Sequence, residues 1–205
     1  MNRTFDILPR DFYDRDTLIV ARELLGKLLI RVINGSYLIG IISETEAYTD
    51  DAASHAFKGL TNRNSALFGP VGMSYVYFTY GIHYCFNIVA RESTVAPAGG
   101  VLVRAIIPVE GQEVMLSYCK GKTLRLDGPG RLTQALAITS KSNNLDLTQV
   151  TSELFVASGY PVQDKDVAIT PRIGISRATE NLWRFVITQE AQKSLSSQAV
   201  KIKKC

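Results

Sequence analysis

Cysteine, histidine and tryptophan are scarce in this sequence, at three, two and one residues among 205. Cys85, Cys119 and Cys205 are odd in number, widely spaced and without a CxxC motif or a histidine cluster nearby. Neither a disulfide framework nor a zinc site is therefore expected, and no metal or other cofactor. No apolar run approaches the roughly 20 residues needed to span a bilayer. The start MNRTFDILPRDFYDRD has no apolar signal core, so the cytosol is the expected compartment. Gly/Ser-rich or Pro-rich linkers, repeats and low-complexity segments are missing too. With 46% hydrophobic and 20% charged residues, the chain suits one domain, 1–205, with a sizeable core. An excess of one charge sign is also lacking: a net charge of +4 permits an anionic partner without requiring one. The end of the chain, QKSLSSQAVKIKKC, reads as a basic, frayed tail (189–205) beyond a core of about 7–188.

What is present alternates short helices with strands. Asp16 before Leu18, Ala21, Leu24 and Leu25, with Gly26 behind them, predicts a capped helix over DRDTLIVARELLG. KLLIRVINGSYLIGIISETEAY reads as two strands around Asn34-Gly35, and SYVYFTYGIHYCFNIVA as a second hairpin around Gly81. GGVLVRAIIPVEG is a strand closed by Pro108. Helices follow at GQEVMLSYCK and GPGRLTQALAI, the latter opened by Pro129 and Gly130, and late strands at LFVAS and LWRFVIT. Strands come in hairpins and outnumber crossovers. The expected fold is a single α+β domain whose largely antiparallel, hairpin-rich β-sheet is surrounded by helices.

The acids are concentrated where a strand ends. Along YLIGIISETEAY, alternation puts Leu38, Ile42, Glu44, Glu46 and Tyr48 on one strand side, so that face turns from apolar to acidic. Such a strand can simply run out into solvent, or its carboxylates can meet a pocket. Arg104, set among apolar neighbours in VLVRAIIP, favours the second reading. A guanidinium there keeps its charge and needs acceptors, and Glu44 and Glu46 are the obvious ones. Asn87 in YCFNIVA poses the same question in neutral form: a buried amide needs partners or faces a ligand. Among the tyrosines of SYVYFTYG, Tyr75 and Phe78 read as core residues, while Tyr80, beside Gly81 at the hairpin tip, reads as exposed.

In this order, ETEAY, DDAASHA, TNRNSALFGPVGMSYVYFTYGIHYCFNIVA, GGVLVRAIIPVEG, DGPGRLTQALAI and PRIGISRA resemble the alkyladenine (3-methyladenine) DNA glycosylases over about Ile7 to Thr188. YVYFTYGIHYCFN looks like the bacterial branch. The resemblance implies that Glu46 is the general base and that Arg104 helps hold the attacking water. Tyr48, His55 and Tyr77 would sandwich and hydrogen-bond a flipped base, Asn87 would stand where guanine's exocyclic amine protrudes, and Leu102 would line the pocket. Tyr80 would be the wedge pushed into the duplex. Where vertebrate members have a longer segment between the tyrosine and the histidine, this chain has only TDDAAS before His55. The implied partner is double-stranded DNA containing damaged purines, at the nucleoid in a bacterium; nothing in the sequence marks an oligomer, and a monomer is the default expectation. No lysine stands at the matching pocket positions, so a Schiff base is not expected. Two other readings stay open at this point. GPGRLTQAL echoes a helix-hairpin-helix turn, with Asp146 as the acid of that architecture, and the tyrosines alone would suit a non-catalytic nucleic-acid-binding module.

Overall fold

The computed structural model describes residues 3–119 and 123–202. Its elements run α1 (Arg10–Tyr13), α2 (Thr17–Glu23), β1 (Leu28–Ile33), β2 (Ser36–Tyr48), β3 (Ser74–Thr79), β4 (His83–Val89), β5 (Gly100–Glu110), α3 (Gln112–Tyr118), α4 (Pro129–Ala135), β6 (Leu154–Ala157), β7 (Val167–Thr170), β8 (Arg184–Ile187) and α5 (Gln189–Ile202). The fold is α+β, as expected.

Local chemistry explains most of the boundaries. The Asp16 carboxylate accepts the N–H groups of Leu18 and Ile19, at 2.9 and 3.1 Å, and so caps α2. Gly26 ends that segment at φ +84°, and a Cβ there would lie 2.2 Å from the Tyr160 carbonyl oxygen. Asn34 and Gly35 both take positive φ, the geometry of a tight hairpin turn, and join β1 to β2.

The sheet order is β3-β4-β5-β2-β1-β6, with β8 also on β2 and β7 on β8. Long β2 lies at its centre. One edge pairs with β5; the other pairs first with β1, through Ser36 to Ile41, and then with β8, through Glu44 to Glu46. That exchange of neighbours places the end of β2 between β5 and β8. Register shifts against β5 between Ile42 and Thr45 bend it there. The main core gathers Leu24, Ile42, Phe86, Val103, Leu132 and Leu195, all buried, under the helices.

Three expectations need correction. The supposed solvated tail is helical from Gln189 to Ile202, and Leu195 and Ala199, four apart on one helix face, are buried. Lys203, Lys204 and Cys205 lie outside the described residues. Pro108 does not close β5, which continues to Glu110 with Pro108 opposite Gly40. Phe78 is half exposed, because it lies near the hairpin tip with the Tyr84 ring tilted against it at 5.0 Å.

Candidate active site

At the acidic end of β2, Glu46 is buried and Glu44 partly so. Glu44 and Glu46 pair across the ladder with Ala105 and Leu102 of β5, which brings Arg104 to both carboxylates. Arg104 Nε donates to Glu44 Oε1 at 2.7 Å, and its Nη1 lies 3.3 Å from Glu46 Oε1. Arg184 on β8 donates from Nε to the same Glu44 oxygen at 2.7 Å and from Nη1 to Thr170 Oγ1 at 2.9 Å. Glu44 is thus held by two guanidinium groups.

Glu46 has no solvent exposure at all. Its Oε1 accepts the Ile173 N–H at 2.7 Å, and its Oε2 accepts the Tyr48 hydroxyl at 2.8 Å. A buried carboxylate without such donors would pay a desolvation penalty of several kcal/mol, so the three partners are what permit a charge in this place. Burial works against the Arg104 cation, but Glu46 and Glu44 more than offset it and raise its pKa above the ordinary arginine value. Burial, reinforced by Glu46, raises the Tyr48 phenol, which therefore remains a donor.

A cavity of about 590 Å³, the size of a small-molecule site, adjoins this cluster. Tyr48, Arg104 and Ile173, the three partners of Glu46, line it, and Glu46 lies directly behind them. His55, Tyr77, Asn87 and Leu102 line it as well. The short loop after Tyr48 therefore still brings His55 to the cavity. The His55 ring meets the Tyr77 ring edge-on at 4.5 Å, and Nδ1 is 2.9 Å from the Tyr75 hydroxyl. Burial, and then Arg63, lowers the His55 pKa, which favours the neutral ring. Burial pushes the Tyr75 phenol up to about 12 and raises that of Tyr77 too. Asn87 is buried opposite Leu102, and its Nδ2 donates to the Tyr75 carbonyl at 3.1 Å.

Tyr80 reaches the cavity mouth from the β3–β4 tip, where it is 82% exposed. Its φ of +51° and that of Gly81, +68°, close the turn, with Ile82 N–H donating to the Thr79 carbonyl at 3.2 Å. The left-handed conformation costs a tyrosine about 1–2 kcal/mol. A bulky aromatic held there, with Ile82 also exposed beside it, presents apolar surface to whatever approaches the mouth. Lys58 and Arg177 line the same cavity, and Arg63 lies 5.8 Å from the Tyr77 ring centroid. Among the described residues no cluster of three or more His, Cys, Asp or Glu side chains is placed to hold a metal ion.

Sequence reasoning assigned nothing to Arg172, although PRIGISRA contains it. Its side chain is fully buried. Nη2 and Nη1 grip Asp51 at 2.7 and 3.0 Å, and Nη1 also donates to the Ala47 carbonyl at 2.9 Å. The signal that singled out Arg104, an arginine amid apolar neighbours, is present at VAITPRIGI as well. Asp146, by contrast, pairs with Arg10 and accepts from the Thr148 hydroxyl at 2.6 Å. It does not line the cavity, and α4 is an ordinary helix opened by Pro129, so the helix-hairpin-helix reading has no geometric support.

Comparison with known proteins points one way. The family model described as methylpurine-DNA glycosylase matches residues 11–191. A protein of Carboxydothermus hydrogenoformans is 48% identical over 184 residues, which cover 88% of this chain and 95% of that one. One from Koribacter versatilis is 44% identical over 188 residues, covering 88% and 89%. A third, from the Wolbachia of Brugia malayi, is 46% identical over 184 residues, covering 89% and 98%. All three bear the name "Putative 3-methyladenine DNA glycosylase".

Proposed function

This chain belongs to the methylpurine-DNA glycosylase family, and from that premise we propose that it removes alkylated or deaminated purines from duplex DNA. Its substrates on this reading are 3-methyladenine, 7-methylguanine, hypoxanthine and ethenoadenine, and its product is an abasic site. The observation that carries the reading is a fully buried Glu46, held by Arg104 and Tyr48 behind an aromatic cavity, with an exposed tyrosine at the mouth.

A base inside a duplex cannot present its glycosidic carbon to water, so the nucleotide must be extruded, at a cost of a few kcal/mol. Tyr80 fills the vacated stack, and Lys58, Arg63 and Arg177 meet phosphates around the mouth. The extruded purine stacks against Tyr48 and Tyr77, whose electron-rich faces favour a cationic alkylated ring. With the Tyr75 hydroxyl donating to Nδ1, neutral His55 keeps a proton on Nε2 to donate to the base. Asn87 bars guanine's exocyclic amine, and Leu102 closes the floor.

As the bond to C1′ breaks, its electron pair leaves with the purine and positive charge grows on the sugar. Glu46 stabilises that charge and takes the proton of the water that attacks C1′, while Arg104 orients the water. No covalent intermediate is required, so the enzyme is monofunctional, and one copy of the chain supplies every group named. It acts in the cytoplasm, at the nucleoid where the cell is bacterial.

Incubation with duplexes containing hypoxanthine or an alkylated adenine, followed by alkali, tests the reading. Release of the free base with strand cleavage only after alkali is expected. Binding without release would leave a nucleic-acid-binding module, and cleavage before alkali would contradict the monofunctional step.

A further inference from the structure

We propose that Arg172 is a positioning residue for this hydrolysis: clamped by Asp51, it backs the ring of Tyr48 and aims the Ile173 N–H at Glu46. The inference rests on the role of Glu46 proposed above. Its starting point is an expensive arrangement. The Arg172 side chain has no exposure, and its Nε has no hydrogen-bond partner among the described residues. An apolar side chain of similar size would fill such a place without that penalty. Something other than packing must therefore account for the guanidinium.

Three contacts say what it does. The two-pronged pair with Asp51, together with the bond to the Ala47 carbonyl, ties the β7–β8 loop to the end of β2 and to the loop that follows it. The guanidinium carbon lies 4.7 Å from the centroid of the Tyr48 ring and 4.9 Å from that of Trp183, so both rings stack on one cation. One face of Tyr48 is thereby occupied, and its hydroxyl is steadied on Glu46 Oε2. The third contact is made by the backbone. The Arg172 Cα and the Ile173 N–H belong to one planar peptide unit, so fixing residue 172 fixes the direction of the donor that reaches Glu46 Oε1. Gly174, at φ +78°, follows at once and offers no such restraint from the other side.

Loss of the clamp should therefore be felt at Glu46. The groups facing that carboxylate are Arg104, Tyr48 and the Ile173 N–H directly, Glu44 through Arg104, and Arg184 through Glu44. Of the direct partners, Tyr48 touches Arg172 through its ring and the Ile173 N–H follows it in the chain, so a substitution at residue 172 reaches Glu46 through both. The Asp51–Arg172 pair lies over the ring of Tyr48.

The test is single-turnover base release at enzyme concentrations that bind all of the duplex, for wild type, Arg172→Gln and Arg172→Lys, with melting temperature and lesion-duplex affinity measured in parallel. Arg172→Gln should lose about 10²-fold in rate, the scale of a small misplacement, with affinity changed less than about threefold. Arg172→Lys keeps a charge but not the planar fork, so it should recover less than a tenth of the lost rate. A wild-type rate in folded variants overturns the proposal. So does a loss of rate matched by an equal loss of affinity, or the failure of both variants to fold, each of which assigns Arg172 to architecture alone. If wild type itself releases no base, it is the proposed function that fails.

Discussion

The end of β2 and the tip of the β3–β4 hairpin both carry residues proposed to act on the same nucleotide, yet they are built on opposite principles. At Glu46 the carboxylate is buried and both of its oxygens have partners: two arginines, a tyrosine hydroxyl and a backbone N–H converge on Glu44 and Glu46. At Tyr80 an aromatic side chain stands almost free in solvent on a backbone that disfavours it. The difference follows from the two tasks. Stabilising charge on a breaking bond needs dipoles fixed in advance in a dry place, whereas entering a duplex needs apolar surface that is uncovered until DNA arrives.

Removing the buried charge breaks the comparison hardest. Glu46→Gln should lower single-turnover excision by roughly 10³-fold or more while leaving lesion-DNA binding intact. Glu44→Gln, which leaves Arg104 and Arg184 sharing a neutral amide, should lower the melting temperature and reduce the rate far less. A rate profile in which Glu44 is the essential carboxylate would reverse the assignment.

At the tip the balance inverts. Tyr80→Ala should leave stability within about 0.5 kcal/mol, as for other exposed positions, and slow excision from paired duplexes by tens of fold. Truncating its buried neighbour Tyr75 should cost about 3–5 kcal/mol. A large fall in melting temperature for Tyr80→Ala would return it to the core.

The hairpins, the capped α2 and the opposed Arg104 and glutamates were legible in the sequence because each rests on a local rule: a turn dipeptide, an N-cap, an arginine with nowhere else to go. The partners from distant loops were not. Ile173 N–H reaches Glu46 across 127 positions, and Arg172 reaches Asp51 across 121, and neither spacing has a period to read. The helical C-terminal segment was missed because its polar, lysine-rich composition masked the pair Leu195 and Ala199. Phe78 was misplaced because alternation alone does not tell how far a hairpin projects beyond its neighbours.

A smaller effect sharpens the middle ground between the two regions. Asn87→Ser, on the cavity wall, should raise release of guanine relative to adenine lesions several-fold, as measured by competition on mixed substrates. An unchanged ratio would make Asn87 only a brace for the Tyr75 carbonyl.

The smallest expected effect concerns pH and stability. Burial, and then Arg63, holds His55 below its ordinary value of 6.5, so the unfolded chain takes up that proton more readily than the folded one. The stability this provides is complete above that ordinary value and is lost as pH falls through the depressed one. Thermal melts should show a slightly steeper acid loss for wild type than for His55→Asn, and identical slopes would remove His55 from the account.

The division of labour between the two regions is tested most directly by measuring single-turnover excision of one lesion in duplex and in single-stranded DNA with the Glu46→Gln and Tyr80→Ala proteins. Glu46→Gln should be inactive on both substrates, and Tyr80→Ala should be slow on the duplex but close to wild type on the single strand. Equal losses by Tyr80→Ala on both strands, or activity of Glu46→Gln on either, would contradict the account.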